Sequence, residues 1–211
     1  MICLQGGHEF TRDCEEMDTE VLQRIGDGSV AVLAGAARVG SDYDSASARA
    51  RRHYERLGAH VVIVPDPRTD LADAVAALDD TVALIVLPGG SPANLLEALD
   101  GTIGERLVAL HHTGTAISGA SAGAMVLCER TVRPGAATGT DVVDGLGLVG
   151  GLALPHWTAS GPRSWPIPDD IDLWGLPECG GVIIADGAEP LAVGHGEPAR
   201  RIAGTWTPID R

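Results

Sequence analysis

The chain has 211 residues, 45% of them apolar, and a formal net charge of −14 with histidine neutral. That length supports a substantial core and is most simply one domain over residues 1–211, while the acidity argues against nonspecific binding to DNA, RNA or anionic lipid. All 15 cationic side chains are arginine, which excludes a phosphate-binding loop with its usual lysine, a Schiff-base enzyme and a pyridoxal-phosphate enzyme, because each needs an amine and the guanidinium stays protonated.

The opening, Met1-Ile2-Cys3-Leu4-Gln5-Gly6-Gly7, has neither the basic region nor the long apolar stretch of a secretory signal. No apolar run approaches the roughly 20 residues that span a bilayer, so a cytoplasmic location without membrane contact is expected. Cys3, Cys14, Cys128 and Cys179 are widely spread with no Cys-x-x-Cys pair, which points to reduced, mostly buried thiols rather than a zinc site or a disulfide framework.

Apolar runs alternate with helical patterns along the first two thirds. Ser29–Ala34 reads as a strand. A helix follows from Asp42 to Leu57, stopped by Gly58. His53, in the middle of that charged helix, reads as solvated. His60–Val64 is the next strand, Leu71–Leu78 a helix and Thr81–Leu87 a strong strand. In Pro88-Gly89-Gly90-Ser91-Pro92-Ala93-Asn94, Ser91 suits an N-cap and Pro92 the first helical position, with the helix running through Leu99. A helix at about Ile103–His112 leads to the short strand-like run Thr115–Ser118. Continuous apolar strands separated by helices imply a mostly parallel sheet covered on both faces, an α/β three-layer sandwich with its ligand edge at the carboxyl ends of the strands.

The run Gly119-Ala120-Ser121-Ala122-Gly123-Ala124 carries the most chemical information. A serine between small residues, after a strand and before the buried helical pattern Ala124–Glu129, has the form of a nucleophile elbow. The helix N-terminus behind it offers unpaired N–H groups where an oxyanion would form. The Ala122 N–H is one such donor, and the Gly89-Gly90 turn can supply another because absent side chains leave its backbone open. Asn94, the one asparagine of the chain, sits just into the following helix and can contact substrate or cap that helix.

A serine hydroxyl needs a base. Among seven histidines, His156 in Leu154-Pro155-His156-Trp157 follows an apolar strand and can face the same sheet edge as Ser121; His195 is its rival. The carboxylate that orients the base can be Asp186, at the end of the strand Gly181–Ala185, with Asp141, Asp144 and Glu178 as alternatives. Downstream, Leu146–Leu154 reads as a Gly-rich strand and Thr158–Pro177 as loop. Gly181–Ala185, Pro190–Val193 and Ile202–Trp206 read as a C-terminal strand meander.

These residues in this order resemble the peptidase E and cyanophycinase family of serine peptidases, whose fold is related to class I glutamine amidotransferases. The resemblance rests on Leu87-Pro88-Gly89-Gly90 with Asn94, on the elbow from Gly119 to Ala124, on Pro155-His156, on Gly181–Ala185 with Asp186, and on the opening Leu4-Gln5-Gly6-Gly7. It implies Ser121 as nucleophile, His156 as general base and Asp186 as its orienter, with Gly89, Gly90 and Ala122 shaping the oxyanion hole. It implies hydrolysis of a small peptide, isopeptide or related amide next to aspartate, with no cofactor and no metal. An aspartyl group would call for a local arginine, for which Arg163 and Arg133 qualify by position; Asn94 is a separate candidate for substrate contact. A homodimer is left open. Two other readings compete: an α/β-hydrolase esterase using Ser121, Asp186 and His195, and an amidotransferase-like binding module without catalysis.

Overall fold

The structure is a computed structural model that describes residues 1–134, 140–158, 167–168 and 170–211. Its elements run β1 (Ile2–Gln5), a 3-10 turn (Arg12–Cys14), α1 (Glu15–Arg24), β2 (Ser29–Val32), α2 (Ser41–Arg56), β3 (Val61–Ile63), α3 (Leu71–Ala77), β4 (Val82–Leu87), α4 (Pro92–Ala98), α5 (Thr102–His112), β5 (Ala116–Ala120) and α6 (Ala122–Leu127). There follow β6 (Cys128–Pro134), β7 (Thr140–Asp144), β8 (Val149–Pro155), β9 (Leu173–Leu176), β10 (Gly180–Ile184), β11 (Leu191–Gly194), β12 (Ala199–Ile202) and β13 (Thr205–Pro208).

Seven described strands form one sheet in the order β11-β10-β1-β5-β4-β2-β3. Neighbours from β1 to β3 are parallel, whereas β10 runs antiparallel to β1 and β11 antiparallel to β10. The expected α/β architecture is present, with helices on both faces. The side-chain alternation of each strand decides which layer it feeds. Cys3, Val30, Val32, Leu84, Val86 and Ala116 pack against Met17 and Val21 of α1 and Ala50 and Tyr54 of α2. Ile2, Leu4, Ala31, Ile85, Leu87 and Ile117 pack the opposite face, against α3, α4, α5 and α6.

The C-terminal strands expected as a meander are present, but they are divided between two sheets. Only β10 and β11 extend the first sheet. Six described strands make a second sheet, β13-β12-β9-β8-β6-β7, whose apolar face shares a core with α6. The helix expected to reach Glu129 ends at Leu127, and Cys128 turns into β6 with ψ 166°. The run expected as one strand at Ile202–Trp206 is a hairpin instead. Its turn uses Ala203 (φ 48°) and Gly204 (φ 82°) to reverse the chain between β12 and β13. Within the segment read as loop, β9 is a buried strand between β8 and β12. Among the described residues no helix is long and apolar enough to cross a membrane, and all four cysteines are free and buried.

His53 is not solvated. It lies on the same stripe of α2 as Tyr43, Ser47, Ala50 and Tyr54, so it points into the core despite its charged sequence neighbours. Its Nε2 meets Asp18 Oδ2 at 2.7 Å with both side chains essentially inaccessible. The Arg56 guanidinium donates to Nδ1 at 3.4 Å, which assigns the Nε2–H tautomer and makes Asp18 the acceptor. Asp18 Oδ1 also accepts from Gln5 Nε2 (2.7 Å) and the Tyr54 hydroxyl (3.3 Å), and Gln5 reaches Ser118 Oγ at 3.0 Å. This network ties α1 and α2 to the last residue of β1.

Replacing Asp18 by alanine removes the acceptor shared by three buried donors and should cost about 3–5 kcal/mol of stability. The measurement is urea unfolding, where the midpoint should fall without a change in slope. A loss below about 1 kcal/mol would show that these bonds contribute little.

Candidate active site

Ser121 stands on the turn between β5 and α6 with φ 48° and ψ −106°, a strained conformation for a residue with a side chain. Its N–H donates to Gln5 O at 2.9 Å, and its own carbonyl accepts from Met125 N at 3.0 Å. The flanking glycines are steric requirements. A Cβ on Gly119 would lie 2.5 Å from the Gly123 carbonyl carbon, and one on Gly123 would lie 2.1 Å from Leu87 O of β4. The two glycines therefore let the helix start directly against the sheet and hold the hydroxyl up at the carboxyl edge.

His156 arrives from the second sheet, immediately after β8. Its N–H donates to Gly6 O (2.9 Å), and the Trp157 N–H donates to Leu176 O (2.9 Å). With φ 57° it too is held off the ordinary backbone minima. The imidazole lies over Gly7, where a Cβ would approach Cε1 to 2.5 Å. Ser121 Oγ and His156 Nε2 are 3.2 Å apart, within hydrogen-bond reach.

The carboxylate on the other ring nitrogen is Glu178, not Asp186. Glu178 Oε1 lies 2.9 Å from His156 Nδ1. The reason is strand direction. Because β10 is antiparallel to β1, with Gln5 opposite Gly181 and Ile2 opposite Ile184, the residues preceding β10 lie beside Ser121. Asp186, after β10, lies exposed at the other edge of the sheet, where its charge reaches His111 at the end of α5. Expecting the acid after the strand presumes a parallel strand. Glu178 is fixed by its neighbours: Cys179 N–H donates to Gly7 O (3.0 Å), and Gly6 N–H donates to Gly180 O (2.9 Å). The second oxygen of Glu178 is 4.0 Å from His8 Nδ1.

Of the expected oxyanion donors, Ala122 opens α6, whose first-turn N–H groups have no intrahelical acceptor. Gly89 faces the serine: a Cβ there would lie 3.1 Å from Ser121 Cβ. Its N–H donates to Glu9 Oε1 at 2.9 Å, a residue that no motif pointed to. Gly90 faces away, toward Ala36 O, with φ 146°. Asn94 donates from Nδ2 to the same Ala36 carbonyl (3.4 Å), and its N–H is capped by Ser91 Oγ, so it latches α4 to the loop after β2. Arg133 pairs with Asp141 on the β6–β7 ribbon at 3.8 Å, and Arg163 lies outside the described residues.

The Asp186 and His195 pair of the esterase reading is not assembled, because Asp186 is at the far edge and His195 is joined through its N–H to Cys179 O. Cys128 is sealed at the end of α6, where burial pushes its thiol up to about 12 and leaves it unreactive. Among the described residues no group of three or more His, Cys, Asp or Glu side chains is arranged to hold a metal. Two clefts are lined by sequence neighbours or partners of His156. One of ≈ 390 Å³ is bordered by His8, Asp13, Glu178, Cys179 and His195, and one of ≈ 540 Å³ by Trp157, Thr158, Pro177 and Pro198 among others. A larger groove of ≈ 610 Å³ runs along α1 and holds none of these groups.

A family model described as peptidase family S51 matches residues 1–169. Among solved structures, a peptidase from an acI-B1 Actinobacterium is similar with a TM-score of 0.76 at 20% identity, covering 99% of this chain and 96% of that one. A putative peptidase E protein from Listeria monocytogenes EGD-e is similar with a TM-score of 0.64 at 18% identity, covering 92% and 98%. These likenesses describe the fold. No curated protein matches in sequence. The match over residues 1–169 shows that the chain belongs to peptidase family S51.

The hydrogen bond from His156 to Glu178 should hold the imidazole as the Nδ1–H tautomer. Nitrogen-15 NMR of His156 should show that tautomer in the wild type and a mixture in Glu178→Ala, with Asp186→Asn indistinguishable from wild type. The same tautomer populations in all three proteins would remove Glu178 from this role.

Proposed function

We propose that this member of peptidase family S51 is a serine peptidase of the peptidase E type that cleaves a small peptide or isopeptide bond through an acyl-enzyme on Ser121. The observation that carries the reading is one continuous chain of contacts, Ser121 Oγ to His156 Nε2 at 3.2 Å and His156 Nδ1 to Glu178 Oε1 at 2.9 Å. A serine, an imidazole and a carboxylate in that order can move one proton in both directions.

In the acylation step, His156 Nε2 accepts the Ser121 hydroxyl proton as Oγ attacks the substrate carbonyl. Glu178 keeps Nδ1–H in place, which leaves Nε2 free to act as a base, and stabilises the imidazolium that forms. The negative charge on the carbonyl oxygen is received by the Ala122 N–H and, once Glu9 is displaced, by the Gly89 N–H. The imidazolium then protonates the leaving amine. Water, deprotonated by His156, attacks the acyl-enzyme and returns Ser121. The strained φ of Ser121 keeps the hydroxyl off the helix and pointed at the reacting carbon.

The resemblance adds a preference for bonds next to aspartate, with a small peptide as the partner and no cofactor. The test is turnover of aspartyl and β-aspartyl dipeptides by purified protein. Ser121→Ala, His156→Ala and Glu178→Gln should each lower kcat by roughly a hundredfold or more, while Asp186→Asn keeps wild-type turnover. Hydrolysis that survives in Ser121→Ala would reject the reading.

A further inference from the structure

Glu9 belongs to no part of the triad, yet its carboxylate occupies an oxyanion donor. Glu9 Oε1 accepts from Gly89 N at 2.9 Å. A Cβ built on Gly89 would be 2.8 Å from that oxygen and 3.1 Å from Ser121 Cβ, so the carboxylate, the Gly89 amide and the serine converge on one side of Gly89. The residues on either side of Glu9 are held in the left-handed region, His8 at φ 63° and Phe10 at φ 65°, which costs of order 1 kcal/mol for each side-chain-bearing residue. That conformation is secured from both ends. The Phe10 ring packs 5.5 Å from His53 and 6.2 Å from Tyr54. His8 O accepts from Thr11 Oγ1 at 3.0 Å and from the Cys14 thiol at 3.3 Å. The loop is constrained to present Glu9 at this position.

A carboxylate and a tetrahedral oxyanion cannot share one N–H, since two like charges at contact repel strongly in a partly desolvated site. Substrate must therefore move Glu9, and a cation on the substrate itself would give the displaced carboxylate a partner. In a peptide with a free amino terminus, the ammonium nitrogen lies on the carbon next to the terminal carbonyl, roughly 3 Å from the carbonyl oxygen by standard bond lengths. A carboxylate leaving the Gly89 amide by about one hydrogen-bond length meets that ammonium.

We infer that Glu9 is a specificity-determining residue: it sits on the Gly89 amide of the free site, and it transfers to an ammonium group adjoining the scissile carbonyl, so that unblocked amino-terminal residues are accepted and acylated ones are refused. A substrate that lacks this cation leaves Glu9 on the donor. The inference rests on Ser121 being the nucleophile, and the two can fail separately.

The experiment uses the full chain carrying Ser121→Ala, so that binding is read without turnover. Calorimetry compares aspartyl-leucine with N-acetyl-aspartyl-leucine, in this background and with Glu9→Gln added. The free dipeptide should bind about tenfold or more tightly than the acetylated one, as expected for a charge-assisted bond, and Glu9→Gln should erase the difference. Equal affinities in the Glu9 protein, or a preference that persists in Glu9→Gln, would overturn the inference. In parallel, the Gly89 amide proton resonance should move upfield in Glu9→Ala, and an unmoved resonance would also count against it. Failure of the serine reading has a different signature, which is peptide turnover that continues in Ser121→Ala.

Discussion

At the end of β1 the chain passes through Gly6 and Gly7 with almost no room on any side. A Cβ on Gly6 would come within 2.0 Å of Pro177 O and 2.2 Å of Leu176 O, and one on Gly7 within 2.5 Å of the His156 ring. The close approach lets this two-residue turn bind three segments. Gly6 O takes the His156 N–H, Gly7 O takes the Cys179 N–H, and Gly6 N–H reaches Gly180 O. One residue earlier, Gln5 O accepts the Ser121 N–H. The serine, the imidazole and the Glu178 carboxylate thus hang from consecutive backbone groups of one strand end. Their separations are set by backbone hydrogen bonds, which vary little in length.

That junction also explains why the site needs both sheets. The serine belongs to the parallel part of the first sheet, the acid to the entrance of an antiparallel strand of that sheet, and the histidine to the exit of β8 in the second sheet. The shared core around α6 holds the two sheets together, so packing remote from the hydroxyl controls where the imidazole sits. Beneath the junction, the bonds of Gln5 to Asp18 and Ser118 anchor the strand end from the opposite face. Four of the six described non-glycine residues with positive φ, His8, Ser121, His156 and Cys179, lie at this junction. Residues held in such regions persist only where surrounding contacts over-determine them.

Much of the fold was legible because the sheet is buried on both faces. Each strand from Ser29 to Leu87 is a short apolar run between turn residues, and the Ser91-Pro92 cap marks α4 directly. The elbow and the histidine after β8 were legible for the same reason, since small residues and a strand end leave local signatures. What stayed hidden depends on direction and pairing. Nothing in Gly181–Ala185 states that β10 runs antiparallel, and that single fact places Glu178 rather than Asp186 beside the His156 imidazole. The burial of His53 follows from the helical stripe through Ser47, Ala50 and Tyr54 and was masked by the arginines around it. Glu9 left no trace in any motif, because its role comes from a contact across 80 positions of sequence. Of the second sheet only β8 was legible as a strand in the right place, because its strands pair with neighbours that are distant in the chain or, like β9 and β12, are short and carry Gly, Arg or Trp.

In the proposed mechanism Ser121, His156 and Glu178 form one proton-transfer unit facing the Ala122 and Gly89 amides. The most direct measurement is a crystal structure of the protein after reaction with a small phosphonylating reagent. Phosphorus should be bonded to Ser121 Oγ, its oxygen within hydrogen-bond distance of both amides, with Glu9 turned away and His156 still on Glu178. An adduct on another residue, or a phosphonyl oxygen pointing into solvent with Glu9 still on Gly89, would contradict that mechanism.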